Sequence, residues 1–367
     1  MMKLVLTAFL LFLLPFSGVF AESDIRMKGL ENRINHLENN TPSQTIHPIT
    51  PCAGPKVREG KDINLSLAFL FWTARLDGLT YAKTGFGDLN QFSTFDKGDI
   101  YNVKWSWDPG FKAGLGWNFC HGCWDMSLQY TWFYTNVDDS KATQHYIVPG
   151  VKVYDPLALL GPTQFQKASA HYDLHYQVGD LELGRNFYVS KTLKLRPFFG
   201  FKGTWQKQDY NVFYETVPFV VALSPVAYSA RFDHALWGIG GRGGCNSSWQ
   251  FSKAFSFYGN LALSAMWLHY NVERKDLFSL TSQAVNVVDQ KVVDTEGSLS
   301  MIRPVLELGV GLRAETYFGC GRYHILLEAG WESQVWVNQT LLITAEENYD
   351  KQDLSLQGLT AKIRLDF

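Results

Sequence analysis

Beyond residue 21 the chain contains no apolar run of 18 residues, so that part holds no candidate membrane-spanning helix. Charge of one sign is missing as well. The 33 Lys and Arg nearly balance the 35 Asp and Glu for a net charge of −2, which argues against a nucleic-acid partner. Cysteine is scarce, and five is an odd number, so at least one cannot pair within the chain. Neither a glycine-rich phosphate loop nor an H-E-x-x-H helix occurs. No cofactor, no metal and no enzymatic activity are expected. His269 near Ser264 and His171 near Ser169 match no hydrolase motif. Aromatics, in contrast, make up 15% of the residues, while the mean hydropathy is only −0.11. That combination suits a chain in which greasy and polar residues alternate.

The first residues read as a secretory signal peptide over 1–21. Lys3 opens it, Leu4 to Leu14 form its apolar stretch, and Val19-Phe20-Ala21 is the cleavage site. Export places the cysteines in a compartment where they can oxidise. Residues 22–40 carry Met27, Leu30, Ile34 and Leu37 at 3-4-3 spacing, a short coiled-coil-like helix. Two heptads are marginal alone, so it is either a solvated helix or a clamp within a homo-oligomer such as a trimer. Residues 41–60 are proline-rich and aperiodic, as a periplasmic linker would be.

From Lys61 to the end the period is two. Ile63, Leu65, Leu67, Phe69 and Phe71 share one strand face, as do Phe111, Ala113, Leu115, Trp117 and Phe119. Trp124, Met126, Leu128, Tyr130 and Trp132 repeat the pattern against Asp125, Ser127, Gln129 and Thr131. Later runs around Phe199, Leu308 and Leu327 do the same. Two segments are less clean: the phase slips near Gly179, and around 229–244 it is clear only from Ala235. Between the runs, short turns take turns with long polar stretches at 77–101, 135–167, 209–228, 273–298 and 340–353, which read as external loops.

This rhythm predicts an all-β fold, a transmembrane antiparallel up-and-down β-barrel over 61–367. Ten strands are counted, or twelve if the 273–298 stretch, with its AVNVV, hides a hairpin. The chain closes on Leu359, Ala361, Ile363, Leu365 and Phe367, an alternating final strand ending in an aromatic. Such an end reads as the assembly signal for the barrel-assembly machinery. The outer membrane of a Gram-negative bacterium, and its lipids, are the expected surroundings.

Several stretches resemble the pore-forming major outer membrane proteins of the Legionella type, a family also found in environmental relatives of the chlamydiae. They are LAFLFWTARLDGLTYA, WDPGFKAGLGWNF, DLELGRNFYVSKTLKLRPFFGFKGTW and LEAGWESQVWVNQ, together with the terminal Phe367. The resemblance implies an integral outer-membrane barrel with porin-like activity and a surface that can meet host cells. It also makes disulfide links to neighbouring outer-membrane proteins attractive.

The expected lumen face carries Lys112, Arg196, Lys202, Arg242, Arg313, Lys362 and Arg364 against Asp125, Glu182, Glu307, Glu315, Glu328, Glu332 and Asp366. Balanced numbers imply no strong ion selectivity. A barrel this narrow leaves little room, so the lumen glycines 114, 116, 200, 238, 240, 309, 311 and 330 are read as thinning the lining. The expectation is a narrow passage for ions and small solutes. The alternative is a closed barrel serving as an adhesin or structural protein. Cys52, Cys120, Cys123, Cys245 and Cys320 all fall towards the periplasmic side on this topology. Disulfide formation, free thiols and metal or redox chemistry stay open for them. The single C-x-x-C, Cys120 to Cys123, sits between strands rather than at a helix start, unlike a thioredoxin-like dithiol.

Overall fold

The computed structural model describes residues 52–55, 57, 58, 60, 62–83, 99–119, 123–149, 165–215, 226–282, 285–343 and 349–367. The signal peptide, the coiled-coil-like helix, most of the linker and Cys120 lie outside these residues.

Thirteen strands occur among the described residues. They are β1 (Ile63–Leu76), β2 (Thr80–Lys83), β3 (Ile100–Asn102), β4 (Asp108–Asn118), β5 (Trp124–Pro149), β6 (Phe165–Arg185) and β7 (Phe187–Tyr188). Then follow β8 (Leu193–Glu215), β9 (Val226–Gln250), β10 (Phe255–Ser282), β11 (Val285–Phe318), β12 (Tyr323–Ile343) and β13 (Tyr349–Asp366). Ten of them form an antiparallel cycle, β1-β4-β5-β6-β8-β9-β10-β11-β12-β13. Strand β13 returns to pair with β1, and the terminal Phe367 exchanges both backbone hydrogen bonds with Ile63. The AVNVV segment adds no hairpin. Its Val285 and Val288 belong to β11 and pair with β10 in the same ladder.

The largest departure from the sequence expectation concerns the long polar stretches. Where they fall within the described residues they are mostly strand: β10 runs 28 residues and β11 runs 34. About 9–11 residues suffice to cross a bilayer, so these strands continue far past any membrane. They remain strands because their alternation continues with its sense reversed. Along the membrane-proximal end of β6, Leu181 and Leu183 point out, while Asp180 and Glu182 point in. Further up, Ala168, Ala170, Tyr172, Leu174, Tyr176 and Val178 point in and are buried. The outward positions there are His171, Asp173, His175 and Gln177. Pairing of β5 with β6 runs without a shift from Trp124↔Arg185 to Ala142↔Lys167. The phase slip near Gly179 is therefore no bulge. The backbone is continuous, and it is the outward residues that change, from apolar to polar. The same inversion in β9 puts Phe232 and Leu236 inside but Trp237 and Ile239 outside, which explains why its pattern is clear only from Ala235.

At the lower end, hydrogen bonding between Phe119 N and Trp124 O (2.8 Å) closes the β4–β5 hairpin. Cys123 there is disulfide-bonded to Cys52, with Cα atoms 5.5 Å apart. The segment that follows Cys52 donates from Ala53 N to Asn186 O, then from Arg58 N to Gly321 O. Asn186 follows β6 and Gly321 lies between β11 and β12, on opposite sides of the ten-strand cycle. The segment thus crosses the lower mouth. Cys245 faces outward and half-buried, and Cys320 is exposed in the β11–β12 turn.

Candidate functional site: the interior and the outer rim

All fourteen charged positions expected on the lumen face, Lys112, Asp125, Glu182, Arg196, Lys202, Arg242, Glu307, Arg313, Glu315, Glu328, Glu332, Lys362, Arg364 and Asp366, point inward. All of them except Lys202 and Asp366 line one cavity of about 280 Å³ in the lower half of the cycle. Two further residues join them. Asp180 and Lys194 share the inward parity of Glu182 and Arg196, but Asp180 sits where the sequence phase breaks. Eight cations then meet eight carboxylates.

They are not free to bind passing ions, because they bind one another. Arg196 grips Asp125 (2.5 Å) and Glu182 (2.8 Å). Arg242 pairs with Glu182 and, at 2.8 Å, with Glu307. Lys202 reaches Glu307 (2.9 Å) and Asp180 (2.8 Å). Round the wall, Lys112 pairs with Glu332, Lys194 with Glu315, Arg313 with Glu328, and Arg364 with Asp366. His324 completes the last group at 2.7 Å from Asp366. Removing such charges from water is tolerable only because each is paired with an opposite charge.

Among the expected lumen glycines, Gly114 and Gly309 border the cavity, while others serve the packing of side chains and strands. A Cβ on Gly184 would sit 2.6 Å from Nε of Arg196, so its absence leaves the guanidinium its berth. At Gly200 a Cβ would strike the Leu181 carbonyl on the neighbouring strand. There glycine permits close approach of two backbones.

Above the ionic layer the interior is an ordinary apolar core. Leu70, Trp72, Phe133, Tyr176, Leu268 and Trp336 are completely buried. Trp72 donates to Thr360 Oγ1 (3.1 Å) and Tyr176 to Gln334 Oε1 (2.8 Å), so these two polar tips are satisfied. Trp336 meets Tyr176 edge-on at 5.9 Å. Lys112 lies over the Trp72 ring and Lys202 over Trp336, which joins the two layers by cation–π contacts. Side chains occupy the interior where the sequence reading expected a passage. Arg303, His234 and Tyr270 also point into this core, and sequence reasoning did not single them out. They lie just outside the stretches read as loop, and the phase around His234 is clear only from Ala235.

The outer face is graded in rows. Trp132, Gln177, Trp205, Trp237 and His269 are successive cross-strand neighbours on β5, β6, β8, β9 and β10. Below them the exposed residues are apolar, including Leu128, Phe201, Ile239 and Leu263. Two rows above, Asp173, Asp209, Asp233, Glu273 and Glu296 stand directly opposite one another on five strands. Like charges in register repel, and cations one row away offset this. Lys207 pairs with Asp209 (3.0 Å), Arg231 with Asp233 (3.1 Å) and Lys275 with Glu273.

His171 belongs to the same rim, with Nδ1 2.7 Å from Asp138 and Nε2 2.8 Å from Asp173. Burial pushes its pKa down, but the hydrogen bonds and charges of the two carboxylates outweigh that and hold it above the ordinary value. Its stabilising contribution is therefore complete below the unfolded-state pKa of about 6.5 and is lost as pH rises through the raised folded value. An NMR titration should place the His171 midpoint above 6.5, and Asp138→Asn should lower it. A midpoint unmoved by that substitution would contradict the clamp.

Comparison with known proteins adds a family. Residues 55–367 match the model described as Legionella pneumophila major outer membrane protein precursor. No curated protein matches the chain. Among solved structures, the outer membrane protease OmpT from Escherichia coli is 11% identical, with 84% of this chain and 98% of that one covered and a TM-score of 0.33. The P. putida toluene transporter TodX is 8% identical over 84% and 91% (TM-score 0.30). Ail, the attachment invasion locus protein of Yersinia pestis, is 11% identical over 84% and 99% (TM-score 0.20). At such scores these likenesses decide nothing, and the fold rests on the strand pairings themselves.

Proposed function

We propose, from the premise that the chain belongs to the family of the Legionella pneumophila major outer membrane protein precursor, that it is an integral outer-membrane barrel whose interior is sealed in the state described. Its work is then structural and at the cell surface, not that of an open diffusion pore. The carrying observation is the buried layer of Trp72, Phe133, Tyr176, Leu268 and Trp336 across the interior. The outward apolar rows meet lipid, and the strand extensions above the tryptophan row hold the contact surface clear of the membrane. Host-cell contact would use that surface. Leu359, Ala361, Ile363 and Leu365 lie on the final strand for the assembly machinery to read, with Phe367 just beyond it. Exposed Cys320 is the candidate for links to neighbours.

Planar-bilayer recording of the pure refolded protein tests this. Wild type should give no steady conductance, and Trp72→Gly combined with Trp336→Gly should produce one. Ohmic conductance from wild type would overturn the sealed reading. A second reading, a gated channel for small solutes, draws on the ion-lined cavity of about 280 Å³ below the seal. In that case wild type would show infrequent, discrete openings under voltage.

A further inference from the structure

Above the tryptophan row the outer wall of the strand extension is hollowed. An open groove of about 680 Å³ is let into it across β5, β6, β8, β9 and β10. Two adjacent cross-strand rows build it. Asp138, His171, Asn211, Arg231 and Lys275 stand in register as the lower row. Ser140, Ser169, Phe213, Ser229 and Leu277 form the upper one. Every one of them borders the groove. Residue size makes the hollow: the serines are short and form a floor. Phe213 and Leu277 rise on either side of Ser229, two strand spacings or about 10 Å apart. They are 39% and 41% exposed, apolar side chains left facing out from a polar stretch of wall.

The charges are sorted by height. Asp173, Asp233 and Glu273, which pair with His171, Arg231 and Lys275, belong to the row beneath and do not border the groove. Arg231, Lys275 and, when protonated, His171 therefore make a cationic lower lip, and Asp138 and Asp139 are the carboxylates beside it. Apolar walls with a few placed polar groups are the usual make-up of a small-molecule site. Here the set suits a sugar. The C–H face of a pyranose ring fits against Phe213, and its hydroxyls can exchange hydrogen bonds with the serines and Asn211. An acidic substituent on the ring would meet the guanidinium and ammonium of the lip, the strongest contacts available.

Height and direction narrow the source of that sugar. Six residues separate Arg231 from Trp237 of the tryptophan row, roughly 20 Å along a strand at about 3.3 Å per residue. The groove lies on the outer wall, so it opens sideways, towards whatever stands beside the protein above the apolar rows. We propose that it binds the phosphate- or carboxylate-bearing saccharide head of an outer-leaflet glycolipid. This rests on the barrel reading above, in which those apolar rows lie in lipid.

The test is calorimetric titration of the full chain, refolded in a zwitterionic detergent, with the deacylated, phosphorylated core oligosaccharide of a bacterial lipopolysaccharide. It should bind saturably at one site per chain, and a neutral dextran oligosaccharide at least tenfold more weakly. Arg231→Gln should weaken the binding at least tenfold and Phe213→Ser several-fold. Both positions are exposed on the wall, so either variant should refold. Intact lipopolysaccharide added to the micelles should compete, whereas phosphatidylglycerol, anionic but without a sugar chain, should not. No saturable binding of the core oligosaccharide to wild type would overturn the proposal. So would equal binding by wild type and both variants, equal binding of the dextran, or full competition by the phospholipid. A soluble sugar reaches the groove whether or not lipid surrounds the wall below. Failure here therefore leaves the barrel reading standing, and that reading is tested separately by Leu263→Arg.

Discussion

Glu307→Gln should lower the free energy of unfolding by about 3–5 kcal/mol, the loss typical of breaking one side of a buried ion pair. Glu307 neutralises two cations at once, Lys202 at 2.9 Å and Arg242 at 2.8 Å, and none of the three side chains is more than 12% exposed. The amide keeps shape and volume but leaves those cations with Asp180 and Glu182 alone. A second change, Lys202→Met, should recover a large part of the loss, because an apolar side chain of similar length needs no counter-charge. Urea titration of refolding into micelles measures both. Additive losses in the double variant would show that the pair is not coupled and that the layer is not one network.

Leu263→Arg should cost about 2–4 kcal/mol when folding is measured in lipid vesicles, as expected for a lipid-facing arginine near the bilayer midplane. Asn271→Arg, on the same face of the same strand, should cost close to nothing. Leu263 points out among Gly243 and Leu306, and Asn271 points out beyond the row of Trp237 and His269, beside Ala235 and Ser298. Eight residues separate the two positions in β10, roughly 26 Å along a strand at about 3.3 Å per residue. Equal costs at the two sites would move the membrane band and refute the graded outer face. Together the pair measures where lipid gives way to water.

Much of the wall was readable from spacing alone. The outward rows led by Leu65, Phe111, Met126, Phe199, Leu308 and Leu327 required only the strict period of a strand, and each is exposed as that period demands or sits within an exposed row. The inward charges followed as their complement. Asp180 was missed for a nameable cause. Asp180 lies at the inversion, where the apolar residues change sides while the backbone does not. The strand extensions were missed for the same cause. Polar residues such as Asp138, Asp209 and Lys275 look like loop when the only strand template is greasy outside and polar inside.

Periodicity, a local property, determined that the chain makes paired strands, which face is apolar near the membrane, and which charged residues share the other face. It could not determine whether those charges line a passage, because filling depends on how far side chains from opposite walls reach into one cross-section. Only the closed set of pairings brings Trp72 of β1, Tyr176 of β6 and Trp336 of β12 to one place. Ion pairing likewise spans strands far apart in the chain: Lys112 meets Glu332 across 220 residues. Spacing along one strand sets direction, whereas distance across the ring sets what is full and what is paired.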